Sequence, residues 1–255
     1  MKLKDILNKI EDIQRRTKSS KVYICGGVPR DKYIKKLNNI SDLDLTTGDK
    51  TIDQISINLS NELNKKYNIN RKVMDDGHSS IFLGNLKIDF SSNFINPNIE
   101  EILFKIGVKD PSNIQKEMFS RDFTCNSLLL SLDLKNILDP TSKGLTDINN
   151  KIIKTCLSPE ITLTNNKNRV VRSIYLATKL DFNIDNSIVE YVKNNPKIIE
   201  NSTPKTVSDK LNFAFNKDPD KASFYLNKMN LWNYVPILES MTPYYLKYNK
   251  GKTNV

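Results

Sequence analysis

Hydrophobic periodicity changes character near residue 150, and that change constrains the fold more than any other feature of the chain. Before it, stretches of period 2 alternate with stretches of period 3.6; after it, helical spacing alone continues. Leu3, Ile6, Leu7, Ile10 and Ile13 recur at helical spacing and predict an amphipathic helix over 2–17. Residues 21–25 predict a short strand, followed by a Gly26-Gly27 turn and a helix to about Leu37. Pro29 suits the first position of that helix, where no N–H is needed. A strand over 42–47 and a helix over 53–66 come next. The apolar runs 80–83 and 86–90 are joined by Gly84-Asn85, a hairpin signal. Residues 96–116, with Pro97 and Pro111, read as irregular, and 121–131 reads as a helix. From about Pro159 strand signals vanish, and 166–180, 186–194, 204–217 and 219–229 read as helices. The chain is therefore mixed α/β first and all-helical afterwards, without internal repeats or a low-complexity linker.

Several classes drop out. At 255 residues the chain has room for one large domain or two small ones, and 38% hydrophobic residues is lean but sufficient for a core. No stretch approaches the roughly 20 apolar residues of a membrane-spanning helix. Residues 1–18 mix charge with aliphatics and lack the continuous apolar segment of a secretory signal. Cys25, Cys125 and Cys156 are odd in number and form no CxxC pair, which argues against a zinc knuckle or disulfide framework and for a reducing, intracellular setting. His78 is the single histidine, so a His-rich metal site is excluded, and no nucleophile motif supports a Ser-His-Asp triad around it. Thirty-nine basic against 29 acidic residues leave a net charge of +10, spread along the chain. An anionic partner such as nucleic acid or nucleotides fits this charge, and so does a soluble, lysine-rich surface.

A few residue groups could carry chemistry. In Asp42-Leu43-Asp44-Leu45 a strand would put both carboxylates on one face and both leucines on the other. Carboxylates held side by side repel unless a cation intervenes, and Mg²⁺ suits such a pair, although a solvated edge strand has the same pattern. Gly26-Gly27, after a strand and before a helix, would let backbone N–H groups approach a phosphate, with Arg30 one turn further on; an ordinary tight turn reads the same. Asp89 shares a strand face with Lys87, opposite Leu86, Ile88 and Phe90. Beside Asp42 and Asp44 it would complete a two-metal site for in-line phosphoryl transfer; alone it is an exposed strand acid. Arg169, Arg172 and Tyr175 lie on one helical face that could hold a triphosphate or stack a base, or could be a solvated basic face. The C-terminal run Tyr244-Tyr245-Leu246-Lys247-Tyr248-Asn249-Lys250 interleaves aromatics and lysines; it could stack on RNA, or tuck its tyrosines against the last helix.

The order and spacing of these groups carry a resemblance. VYICGGVPRDKYIKKLNNISDLDLTT (22–47), RDFTCNSLLLSL (121–132), ILDPTSKGLTDINNKIIKT (137–155) and NRVVRSIYLATKLDF (168–182) are collinear. Together they resemble the class II CCA-adding tRNA nucleotidyltransferases and the related bacterial poly(A) polymerases, with their polymerase-β-like head. The resemblance implies an α+β fold: a head over 1–150 with a small mixed or antiparallel sheet and flanking helices, then a helical neck and short body over 151–255. It implies that Asp42 and Asp44 bind metal, with Asp89 as the third carboxylate. Gly26, Gly27 and Arg30 would lie at the nucleotide phosphates. Arg121 would contact the incoming nucleotide, with Asp122 and Asn126 bracing it, and Arg169 and Arg172 would belong to the nucleotide pocket of the neck.

The sequence also departs from the family pattern. Pro29 replaces a valine, Ser120 replaces the first arginine of a pair, and Ser92-Asn93-Phe94 follows the strand around the third carboxylate, which in the family usually ends in an arginine. Asn165-Asn166 replaces an acidic pair, and Tyr175 replaces a third neck arginine. Asparagine both donates and accepts where aspartate only accepts, so at Asn166 base selection is the least transferable property.

The implied activity is template-independent addition of CCA, or part of it, to the 3′ end of tRNA. The RNA 3′-hydroxyl would attack an NTP α-phosphate, with Mg²⁺ in a two-metal site and ATP and CTP as substrates. Alternatives are a poly(A) polymerase acting on other RNA 3′ ends, and a catalytically degenerate RNA- or nucleotide-binding protein. Expected partners are tRNA or another RNA 3′ end and nucleotides, with no membrane, and a homodimer or helper protein to supplement a short body. The expected location is the cytoplasm, or a host cytoplasm for a viral chain.

Overall fold

The structure, a computed structural model, describes residues 2–37, 39–67, 69–74, 78–91 and 95–252. It divides into two compact units, Met1–Leu145 and Thr146–Val255. The first unit begins with α1 (Leu3–Thr17), β1 (Tyr23–Cys25), α2 (Gly27–Tyr33), β2 (Asp42–Thr46) and α3 (Thr51–Asn64). It continues through β3 (Asn70–Val73), β4 (Ser79–Leu83), β5 (Leu86–Phe90), α4 (Ile99–Lys105), α5 (Asn113–Ser120), β6 (Leu129–Ser131) and β7 (Ile137–Leu138). The strands form a seven-stranded mixed sheet in the order β3-β4-β5-β2-β1-β6-β7. All neighbours are antiparallel except β2 and β5, which run parallel.

Period-2 alternation decides what each face of this sheet carries. In β2, Leu43 and Leu45 are fully buried while Asp42 is exposed and Asp44 half-buried. Ile24 of β1 and Ile88 and Phe90 of β5 share the leucines' core. Against it pack Ile6, Leu7, Ile10 and Ile13 of α1 and Ile52, Ile55, Leu59 and Leu63 of α3. The helical spacing of both sets matches the reading from sequence. On the opposite face, Cys25 and Leu129 gather with Met118 of α5, and Tyr23 and Ile114 pack against them.

The structure corrects several expectations. Residues 121–131 are not a helix: α5 stops at Ser120, Arg121 is extended at ψ 177°, and Thr124–Asn126 makes one 3₁₀ turn before β6. The buried apolar run at 128–130 leads into β6, which pairs with β1, and a short, wholly buried run has no periodicity to separate strand from helix. Residues 96–116 are not irregular, since α4 and the start of α5 lie there. Ser112 and Gln115 cap α5 reciprocally, a box readable in the sequence. Helix α2 ends at Tyr33, short of Leu37, and the chain turns left-handed at Lys35. Pro29 is the third residue of that helix; N–H groups of the first turn have no intrahelical acceptor, so the ring still fits. Strand β3 adds an edge to the expected hairpin. Ser92-Asn93-Phe94 lies outside the described residues.

The boundary falls within α6 (Gly144–Asn149), and the second unit contains β8 (Ile152–Ile153), α7 (Pro159–Asn165), α8 (Arg169–Leu180), β9 (Asn183–Ile184) and α9 (Asn186–Asn194). Then come α10 (Pro204–Lys217), α11 (Pro219–Lys228) and α12 (Thr242–Lys252). Strand β9, paired parallel to β8, lies in the stretch where no strand signal remained; two residues are too few to show alternation. The helix expected over 166–180 starts at Arg169. Ser158 and Pro159 open the separate helix α7, and Asn166 is extended at φ −149°, its Oδ1 accepting the Asn168 N–H at 3.1 Å. Helix α8 packs on α10 and α11. The C-terminal tyrosines are occupied within the unit: Tyr245 and Tyr248 lie 5.7 and 5.8 Å from the Trp232 ring, and Tyr244 lies 5.7 Å from Phe215. Among the described residues no helix is long and apolar enough to cross a membrane.

Two neighbouring substitutions test the face assignment of β2. Leu43→Ala should lower stability by about 2–5 kcal/mol, because its side chain leaves a cavity between sheet and helices. Asp42→Asn should stay within about 0.5 kcal/mol of wild type. Urea midpoints measured on both variants check the contrast; a larger loss at Asp42 than at Leu43 would mean the strand is turned over.

Candidate active site

The parallel register of β2 and β5 sets Asp42 beside Lys87 and Asp44 beside Asp89. The strand alternation turns all four side chains away from the leucine core. One carboxylate oxygen from each of Asp42, Asp44 and Asp89 lies within 4.8 Å of the others; among the described residues this is the cluster able to hold a metal ion. Three hard oxygen donors at that separation fit Mg²⁺, which takes a few carboxylates and completes its shell with water or phosphate oxygens. The structure thus brings together the three acids singled out from the sequence.

Like charges so close must be offset. Lys87 donates to Oδ2 of Asp89 at 2.5 Å, and the Ser80 hydroxyl donates to Oδ1. Partial burial works against the Lys87 charge, yet its hydrogen bond to Asp89 and the attraction of Asp89, Asp42 and Asp44 raise its pKa above the ordinary lysine value. On the other side of Asp44 the chain comes very close. Gly26 sits at φ +76°, and a Cβ there would collide with Oδ2 of Asp44. Both the left-handed backbone and the lack of space require glycine. Gly27 opens α2 directly after it.

Arg30 lies under this turn, only 3% exposed. Its Nε donates to Asp31 at 2.9 Å and its Nη1 to Oδ1 of Asn126. Asn126 in turn donates to Oδ1 of Asp122 at 3.4 Å, and that oxygen also accepts the Phe123 N–H at 2.7 Å. Arg30, Asn126 and Asp122 therefore form one buried chain of hydrogen bonds that ties the Gly-Gly turn to the segment after α5.

Arg121 belongs to a second network, which includes residues that sequence reasoning missed. Its Nη2 reaches the sulfur of Cys25 at 2.9 Å and Oε1 of Glu117 at 3.0 Å. The other Glu117 oxygen accepts from the Thr46 hydroxyl at the end of β2. Burial opposes the Arg121 charge, but Cys25, Glu117 and Asp44 lie close enough to keep the guanidinium firmly protonated. Burial likewise pushes the Cys25 thiol far above its usual range, with Arg121 pulling the other way. Glu117 and Arg121, four apart at the end of a helix, were readable as a pair; their attachment to Thr46 and Cys25 was not.

In the second unit, Asn166 is exposed at the end of α7. Arg169 is buried, and its Nη1 donates to the Thr162 carbonyl at 3.1 Å. Arg172 and Tyr175 are half-buried on α8. Tyr175 meets Phe213 edge to face at 4.8 Å, and Lys210 lies 4.2 Å over its ring.

Residues 22–154, just over half of the chain, match the family model of the poly A polymerase head domain. The CCA-adding enzyme of Staphylococcus epidermidis is 26% identical over 249 residues, 93% of this chain and 55% of that enzyme. A tRNA nucleotidyltransferase of Schizosaccharomyces pombe is 42% identical over 79 residues, 31% of this chain and 16% of that protein. The Thermotoga maritima CCA-adding enzyme complexed with tRNA shares the fold with a TM-score of 0.68 at 18% identity, covering 90% of this chain and 51% of that one. The chain spans about half, or less, of the length of these relatives.

The Glu117–Arg121 pair is testable by stability alone. Glu117→Met should cost about 3–5 kcal/mol, because it strands a largely buried guanidinium. Replacing both residues by methionine should cost clearly less than the sum of the single losses. Denaturant unfolding of the four proteins in the cycle checks this, and additive losses would mean the two residues act independently.

Proposed function

The chain belongs to the poly A polymerase head-domain family, and from that premise we propose that it is a template-independent nucleotidyltransferase adding CCA, or part of it, to the 3′ end of tRNA. The observation that carries this reading is the triad Asp42, Asp44 and Asp89, brought within 4.8 Å beside the Gly26-Gly27 turn. Relatives named as tRNA nucleotidyltransferases support tRNA as the acceptor. In the reaction, the RNA 3′-hydroxyl oxygen bonds to the α-phosphorus of CTP or ATP. The bond from that phosphorus to the bridging oxygen breaks, pyrophosphate leaves, and the proton of the hydroxyl passes to water.

Asp42, Asp44 and Asp89 would hold Mg²⁺, which when bound supplies positive charge for the phosphates and lowers the pKa of the attacking hydroxyl. Chain residues do the positioning. The Gly26-Gly27 backbone would lie against the phosphates, its shape held by Arg30 through Asn126 and Asp122. Arg121, kept charged by its neighbours, would face the incoming nucleotide. Base recognition is assigned to Asn166, Arg169, Arg172 and Tyr175 of the second unit. Asn166 offers both a donor and an acceptor to a base edge.

Incorporation of labelled CTP and ATP by purified protein with Mg²⁺ tests the proposal. Acceptors are tRNA transcripts lacking CCA, ending in C or ending in CC, and an unstructured oligo(A). Addition that stops at CCA, or after one defined step of it, is expected. Asp42→Asn and Asp44→Asn should each lower the rate by about 10³-fold, as loss of several kcal/mol of charge stabilisation requires. Long A-tails on every acceptor would make the protein a poly(A) polymerase. RNA binding without incorporation under any nucleotide would overturn the catalytic reading.

A further inference from the structure

The reaction as proposed leaves Lys87 without a part, although it stands inside the site. It precedes Asp89 by two residues on β5 and so shares its face, and across the parallel ladder it is the partner of Asp42 as Asp89 is of Asp44. Its ammonium bonds one oxygen of Asp89 at 2.5 Å while Ser80 bonds the other. Both oxygens of Asp89 are thereby engaged, and Asp42 and Asp44 also attract the Lys87 ammonium. A lysine–carboxylate pair on an open surface contributes little. This one lies in the joint field of three carboxylates. The Lys87 side chain is 40% exposed, so the ammonium can leave Asp89 for water without crossing the core.

We propose that Lys87 is a built-in cation of this site, holding Asp89 abreast of Asp44 when no divalent ion is bound and competing with such an ion for Asp89. Asp89 becomes a ligand only as the ammonium withdraws. Lys87 is thus a positioning residue that sets the metal affinity of the triad. The inference rests on the reading that the triad binds metal.

Mn²⁺ alone, titrated into the full chain without nucleotide and followed by the electron paramagnetic signal of the free ion, separates the two. Wild type, Lys87→Met, Lys87→Gln, Lys87→Arg and Asp44→Asn are compared after circular dichroism has established which are folded. Lys87→Met and Lys87→Gln should bind Mn²⁺ about tenfold more tightly than wild type, because a competing charge is gone. Lys87→Arg should restore the weaker wild-type affinity, and Asp44→Asn should lose most of the binding. Unchanged or weaker binding in folded Lys87→Gln overturns the proposal, as does tightened binding in Lys87→Arg. If Asp44→Asn still loses binding in that case, the metal site itself stands. Asp44→Asn binding like wild type, or wild type binding no Mn²⁺, overturns both.

Discussion

Carboxylates on adjacent strands repel, and the arrangement around Asp42, Asp44 and Asp89 answers that repulsion. Asp89 has an ammonium on one oxygen and a hydroxyl on the other. Asp44 lies against Gly26, where any side chain would occupy its space. Lys87 and Arg121 bring positive charge to the cluster from β5 and from the end of α5. Two buried networks hold the surrounding backbone: Arg30 to Asn126 and Asp122 on one side, Arg121 to Glu117 and Thr46 on the other. Each network joins β1 or its turn to the segment around α5, so the acids are held by groups far away in sequence.

The sheet divides this work between its faces. Leucines and isoleucines of β1, β2 and β5 face α1 and α3 and supply the burial that keeps the strands in place. The intervening residues face the site. A one-residue slip of β2 would bury Asp42 and Asp44 and expose two leucines, so the apolar core enforces the register that the chemistry needs. The helical unit shows the same economy in its aromatics. Tyr244, Tyr245 and Tyr248 pack against Phe215 and Trp232, so their rings serve its core rather than standing free.

Much of this was legible in the chain. The alternation in Asp42-Leu43-Asp44-Leu45 encodes a strand with acids on one face, and the apolar spacing of α1 and α3 encodes helices with one buried side. The stretch around Arg121 was misread, because a buried run such as 128–130 has the same composition in a strand or a helix. Glu117 was passed over because a single acid four residues from an arginine is common on helix surfaces; only burial between β2 and α5 makes it structural.

The sequence by itself determined α1, α3 and the helices α9, α10 and α11, the direction of the acids in β2 and β5, and the glycines of the turn. These depend on backbone sterics and on apolar residues a few positions apart. Tertiary structure alone decided that β5 pairs parallel with β2, passing over β3 and β4, and so that Asp89 and Lys87 stand beside Asp44 and Asp42. It alone decided the partners of Arg30 and Arg121, each tied to residues across the fold. Strand order and register arise from the packing of the whole core, which no local run of residues contains.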